Sequence, residues 1–157
     1  MLDEALLLGI ASIAVAIAGF TAVTAALTPP GGSWSPLHRI RQRAIVSTSF
    51  NVVFEALLLV IVGAWLSDAR QAIALSSALV ALYAAWIVVS RGRQIYRAGG
   101  LRTWAGRLLY VPGITALLLF AANAVVLTSV AAYALALCVQ LSVAVISFYQ
   151  LVAAASS

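Results

Sequence analysis

The chain has 157 residues, of which 64% are hydrophobic and 8% are charged, and its net charge is +5 with arginine at all nine basic positions. A soluble domain carries about 25% charged residues to cover its surface, so this composition excludes a soluble protein and indicates a membrane protein with several spans. Nucleic acid is not an expected partner, because the arginines stand beside apolar segments, where basic residues set membrane orientation.

The first apolar segment, about residues 5–27, predicts a membrane span. Asp3 and Glu4 precede it, where a cleavable signal peptide would carry positive charge. The basic residues come after the segment instead. We therefore expect a retained span with its N-terminus outside.

This first span also carries a row of small residues at four-residue spacing, with a glycine beside it. Such rows let helix backbones approach closely and are typical of association faces. We predict a tight helix pair, within the subunit or between subunits, with a chance row in an alanine-rich chain as the alternative. The predicted packing face consists of Ala14, Ala18, Gly19, Ala22 and Ala26.

The second span, about residues 44–66, carries a carboxyl group near its middle. Glu55 is about the twelfth residue of the span, so it lies close to the bilayer midplane, where a charge costs several kcal/mol. It is therefore expected to face the bundle, a partner subunit or water, or to be protonated. Polar residues recur every four positions before it, at Arg39, Arg43, Ser47 and Asn51.

This row forms a polar track from the basic end of the second span to the midplane. Arg43 and Glu55 are about 18 Å apart at 1.5 Å per residue, and the segment after Glu55, "ALLLVIVGAW", is apolar. Residues of later spans reach a similar depth, and we predict that Glu55 forms hydrogen bonds to some of them. The predicted intramembrane cluster is Glu55, Asn51, Ser47, Asn123 and Gln140.

The third span, about residues 72–90, ends at the most charged segment of the chain, "RGRQIYRAGGLRTWAGR". Its arginines are typical of a topology determinant. Alternatively they hold an anion or an anionic lipid headgroup, since each basic residue near such a surface contributes about 1 kcal/mol of attraction. The candidate headgroup residues are Arg43, Arg91, Arg93, Arg97, Arg102 and Arg107.

The last apolar run, residues 108–155, is too long for one membrane helix. A single helix of that length would measure about 72 Å, whereas the hydrocarbon core is about 30 Å thick. We expect the run to fold back around residues 128–132, into a fourth span of about 108–127 and a fifth of about 133–152. The fold class predicted is thus an all-α polytopic membrane bundle of about five helices in one domain, residues 1–157. Four spans plus one surface helix is the alternative.

Arginine counts in the connections predict the orientation of the bundle. The first connection holds three arginines and the third holds five, whereas the second holds only Arg70 and the fourth holds none. Because cytoplasmic loops carry the excess of basic residues, we expect the N-terminus outside and the C-terminus in the cytoplasm.

The sequence holds few of the residue types that catalysis and metal binding use. One histidine, one cysteine and four acidic residues are hard to assemble into a hydrolytic triad or a metal cluster. His38 lies between apolar segments, Cys138 has no second cysteine, and no lysine is present for a Schiff base. We predict no catalytic residue, no metal site and no cofactor.

The chain resembles membrane-associated glutathione and eicosanoid enzymes in two segments. One is "RQRA", which precedes the asparagine and glutamate of the second span, and the other is the arginine loop after the third span. Those enzymes are small trimeric four-span proteins. The resemblance implies that Arg43, Asn51, Glu55, Tyr96 and Arg97 hold a glutathione-like anion. The spacing differs from that family, since the asparagine follows the arginine by eight residues, not by one turn, and a fifth span is present.

We interpret the chain as a small multi-pass protein of the inner membrane that acts through helix–helix association. The leading prediction is a non-enzymatic structural or accessory subunit of an oligomer or larger membrane complex. One alternative is a channel or transporter component with a proton- or cation-linked path at Glu55. A second is a membrane enzyme or a binder of lipophilic molecules or glutathione-like anions. The expected partners are membrane lipids, including anionic ones, and copies of the chain or other membrane subunits.

Overall fold

The computed structural model describes residues 4–26, 36–97 and 104–155. Within these ranges the chain is helical except for short connections, and the predicted all-α class is confirmed. The helices are α1 (Glu4–Ala26), α2 (Pro36–Trp65), α3 (Ala69–Arg97), α4 (Trp104–Ala122), which continues into a π-helical turn (Asn123–Leu127), and α5 (Val130–Ala155).

Each of the five helices contains a segment long and apolar enough to cross a membrane. These segments have 18 to 24 residues, so they measure about 27–36 Å, close to the thickness of the hydrocarbon core of about 30 Å. The chain is therefore a multi-pass membrane helix bundle. The segments are Glu4–Val23, Gln42–Trp65, Ala69–Ser90, Tyr110–Leu127 and Val130–Gln150.

The last two helices are separated by a turn that Asn123 organises. Thr128 adopts a left-handed backbone conformation with φ of 41°, which costs a non-glycine residue free energy. The Thr128 N–H donates to the Asn123 backbone oxygen at 3.0 Å, and the Ser129 N–H donates to its Oδ1 at 2.9 Å. The helical segment ends at Leu127, as predicted, and the turn takes only residues 128–129, so α5 begins at Val130, three residues before the predicted start.

Four helices form a ring and the first packs outside it. The helices α2, α3, α4 and α5 contact one another in chain order, and α5 closes the ring against α2. The helix α1 lies against α2 and also contacts α5. Short connections such as residues 66–68 and 128–129 make consecutive helices antiparallel neighbours. The α5 span is the most enclosed of the five.

The close approach of α3 and α4 depends on a glycine. A Cβ atom at Gly92 would lie 2.6 Å from the Tyr110 hydroxyl oxygen, far inside van der Waals contact. The same hydroxyl donates to the Val88 backbone oxygen at 3.3 Å. The missing side chain of Gly92 therefore leaves the space into which Tyr110 reaches.

Candidate functional site

Glu55 lies inside the bundle between α2 and α5. Its side chain is 4% exposed, and Gln140 of α5 donates from Nε2 to Glu55 Oε1 at 3.1 Å. The carboxyl group thus faces a neighbouring helix of the same chain, away from the lipid-facing surface. Of the polar residues expected around it, Gln140 is the one that the structure brings to the carboxyl group.

A second hydrogen bond joins the same two helices at Glu55. The buried hydroxyl of Tyr133 donates to the Glu55 backbone oxygen at 2.7 Å. Tyr133 and Gln140 are seven residues apart, so they share one face of α5. The Tyr133 ring packs edge-on against Phe120 of α4, with 5.2 Å between ring centroids. We call the contact made by Glu55, Tyr133 and Gln140 the α2–α5 seam.

The seam holds two buried oxygen atoms that lack a hydrogen-bond partner. They are Glu55 Oε2 and Gln140 Oε1, the second oxygen of the carboxyl group and the oxygen of the amide that binds it. An ionised carboxylate and an amide oxygen are both acceptors. Protonation of the carboxyl group would turn one of these oxygens into a donor for the other. A bound cation would contact both.

Asn123 takes part in a different contact from the one predicted. Its Nδ2 donates to Ser77 Oγ of α3 at 2.9 Å, and its Oδ1 accepts the Ser129 N–H. The side chain is fully buried. One end of the amide therefore closes the α4–α5 turn and the other ties this turn to α3, and neither end bonds to Glu55.

Asn51, one turn before Glu55, also bonds elsewhere. Its Oδ1 accepts the Tyr83 hydroxyl of α3 at 3.2 Å on the outer surface of the bundle. Ser47, one turn earlier, donates to the Arg43 backbone oxygen at 2.6 Å. Successive residues at four-residue spacing are rotated by about 40° around the helix axis. The row therefore begins at the exposed Arg43, faces α3 at Asn51 and reaches the interior at Glu55. The predicted polar track is therefore divided among three environments.

The candidate headgroup residues are described only in part. Arg43 and Arg93 have exposed side chains near the basic ends of α2 and α3. The remaining arginines of the third connection stay predictions, as does the glutathione-like anion site, which needs Tyr96. Outside the described side chains lie Arg91, Tyr96, Arg97, Arg102 and Arg107.

The small-residue row of α1 turns away from the packed face of the helix. Ala14 is buried in the core, Ala18 is half-buried, and Gly19 and Ala22 are exposed, while the side chain of Ala26 lies outside the described residues. Ala14, Ala18, Gly19 and Ala22 form part of one wall of an apolar cleft of about 290 Å³. We call it the α1–α2 groove; it is lined by Ala14, Val15, Ala18, Gly19, Ala22, Val46, Ser49, Phe50 and Val53.

Sequence reasoning missed the tyrosines. Tyr133 ties α5 to α2, and Tyr83 covers the amide of Asn51, yet neither was proposed as a site residue. A signal for Tyr133 existed, because its seven-residue spacing from Gln140 places both on one helical face. Tyr83 gave no comparable signal, since no residue of the predicted intramembrane cluster lies on α3.

No protein family, curated protein or solved structure matches this chain. Among residues 4–26, 36–97 and 104–155, no group of three or more His, Cys, Asp or Glu side chains is arranged to hold a metal ion.

Proposed function

We propose that this chain is a non-enzymatic structural or accessory subunit of a membrane assembly, built from copies of itself or from other membrane subunits. The proposed location is the inner membrane, with the N-terminus outside. The observation that carries this proposal is a polar pair on the outer surface of the bundle, Asn51 with Tyr83. Together with the neighbouring Trp86 we call it the α2–α3 patch.

The pair lies at hydrocarbon depth. Asn51 is nine residues beyond the start of the Gln42–Trp65 segment, which places it about 13.5 Å into the span. Tyr83 is seven residues before the end of its own segment at Ser90, or about 10.5 Å from that end. No water is present at that depth to satisfy a polar group.

The amide of Asn51 is only partly satisfied. Its oxygen accepts the Tyr83 hydroxyl, but its nitrogen donates to no other residue in the described ranges. An unpaired amide group in hydrocarbon costs a few kcal/mol. A helix from a second subunit can supply the missing acceptor, and such bonds contribute about 0.6–2 kcal/mol to association.

The aromatic residues of the patch add contact area to this polar group. Tyr83 is 44% exposed and Trp86 is 67% exposed, and their rings stack at 6.1 Å between centroids. Tyrosine and tryptophan are enriched in subunit interfaces because they combine apolar area with a hydrogen-bonding group. The patch therefore combines the two features that favour helix association in a membrane.

The test is the association equilibrium of the purified chain in lipid nanodiscs or mild detergent, read by native mass spectrometry. We expect a defined assembly for the parent chain. Asn51→Leu should weaken it by roughly 3- to 30-fold, the factor that corresponds to one interhelical hydrogen bond. Thr115→Val is the matched control, because that exposed hydroxyl is already bonded to the Val111 backbone oxygen of its own helix at 3.0 Å.

Two results would contradict the proposal. One is a parent chain that stays monomeric, with no other membrane subunit bound, at all concentrations measured. The other is an assembly that Asn51→Leu leaves as stable as Thr115→Val does.

A second candidate function is a channel or transporter component with a proton- or cation-linked path at Glu55. The observation that favours it is the pair of buried, unpartnered oxygens in the α2–α5 seam, since such a pair can take up one proton or one cation. Proteoliposome flux measured at several pH values, for the parent chain and for Glu55→Gln, tests it. Equal and near-zero flux in both would reject the path, and undiminished flux in the variant would reject Glu55 as its titrating group.

A further inference from the structure

The α1–α2 groove lies on the opposite side of α2 from α3 and has no part in the proposed association patch. Eight of its nine lining residues are apolar, and Gly19 leaves open space, because a Cβ atom there would meet no heavy atom within 4 Å. Its volume is about 290 Å³. Apolar cavities do not hold ordered water, so the chemistry of the groove favours hydrocarbon.

The shape of the groove fits one hydrocarbon chain. On α1 it extends from Ala14 to Ala22, which is about 12 Å at 1.5 Å per residue. One extended acyl chain can lie along this cleft.

The groove also contains one polar atom without a partner. Ser49 is fully buried and forms part of the wall, and its Oγ makes no hydrogen bond. Ser12 of α1 and Ser47 of α2, in contrast, bond to a backbone oxygen of their own helix. A buried hydroxyl that makes no bond costs about 1–3 kcal/mol, and an acceptor on a bound molecule would remove that cost.

A positive charge stands at one end of the groove. Arg43 is exposed, makes no ion pair with any described residue, and precedes Val46 of the groove by one helical turn. It also lies close to the start of the Gln42–Trp65 segment, at the level of lipid headgroups. The groove residues Val46 to Val53 then extend about 5–15 Å below it, within a single leaflet.

We propose that the α1–α2 groove binds one anionic phospholipid of the leaflet at the basic end of α2. One acyl chain fills the groove, the phosphate lies against Arg43, and an ester carbonyl accepts the Ser49 hydroxyl. Arg43 and Ser49 are about 9 Å apart along α2, and the long arginine side chain adjusts its reach. Both polar contacts can therefore belong to one lipid molecule.

The chain is purified in detergent, delipidated and then loaded from mixed micelles of phosphatidylglycerol and phosphatidylcholine. Native mass spectrometry measures which lipid each chain retains. We expect one phosphatidylglycerol per chain to be retained under conditions that remove phosphatidylcholine. Arg43→Gln should reduce this preference by about fivefold, the factor expected for one basic residue at a headgroup. Equal retention of the two lipids by the parent chain would overturn the proposal.

Two leucine variants test the groove itself. Gly19→Leu fills the open space and should lower phosphatidylglycerol retention by about tenfold or more, as loss of a buried acyl chain predicts. Gly9→Leu adds the same side chain to α1 away from the groove, also where a Cβ meets nothing within 4 Å, and should leave retention unchanged. Ala22→Leu is the second filling variant if Gly19→Leu fails to fold.

Equal retention in a folded groove-filling variant and in Gly9→Leu would overturn the proposal. A groove-filling variant that changes the copy number but not lipid retention would identify the groove as a contact between copies, which also overturns it. The role of Ser49 is tested with an ether-linked phosphatidylglycerol, which lacks the ester carbonyl. The parent should prefer the ester-linked lipid and Ser49→Ala should not; a parent without that preference contradicts the assigned contact.

Discussion

On its α5 side, α2 places Val52, Glu55 and Leu59 in the core, where Tyr133 and Gln140 meet them with two hydrogen bonds. On its α1 side, the same helix borders a cleft of about 290 Å³. The helix α1 packs closely against α2 with Ala14 in the core, while Ala18, Gly19 and Ala22 of the same small-residue row line the cleft. Small residues permit a close approach, but a contact is closed only where side chains of the opposite helix fill the space.

The largest loss of stability is expected when the packed contact between α2 and α5 is disrupted. Leu137 lies one turn after Tyr133 on the same face of α5 and is fully buried. Leu137→Ala should lower the free energy of unfolding by about 2–5 kcal/mol, because it leaves a cavity in a packed region. The measurement is unfolding in mixed micelles followed by circular dichroism. Leu135→Ala is the control, since Leu135 is 55% exposed, and similar losses in both variants would show that the seam is not packed as described.

A smaller effect is expected from the polar part of the seam. Gln140→Leu keeps the side chain large but leaves the Glu55 carboxyl group without the donor at 3.1 Å. Loss of a partner from a buried polar group costs about 1–3 kcal/mol, which the same unfolding measurement detects. Gln71→Leu makes the same replacement at an exposed position of α3 and should change stability little. A Gln140→Leu chain as stable as this control would mean that the hydrogen bond does not fasten α2 to α5.

The smallest change in stability is expected in the groove. The same replacement, glycine by alanine, is compared there and at the α3–α4 contact. Gly92→Ala places a Cβ atom 2.6 Å from the Tyr110 hydroxyl and should cost about 1–3 kcal/mol by overpacking. Gly19→Ala meets no atom within 4 Å, so stability should stay unchanged or rise by up to about 1 kcal/mol. If Gly19→Ala destabilised the chain as much as Gly92→Ala, the groove would have to be closed by protein.

The sequence predicts two of the three seam residues, Glu55 and Gln140, but not Tyr133. Glu55 and Gln140 were paired by depth, because polar residues in apolar helices at the same level have few other partners. Depth alone also suggested Asn51 and Asn123, which bond to α3 instead. The difference lies in the rotation of each helix about its axis, which a depth estimate does not contain.

The sequence by itself determined that this chain is an all-helical membrane bundle with five spans, because hydrocarbon length and backbone hydrogen bonding impose that form on five apolar segments. It also predicts a carboxyl group near the midplane. Only the tertiary structure decided which neighbour each polar side chain meets, and that the alanine row of α1 borders an open groove. Those outcomes depend on helix rotation and on side-chain volumes of residues distant in sequence, which the spacing within one helix does not encode.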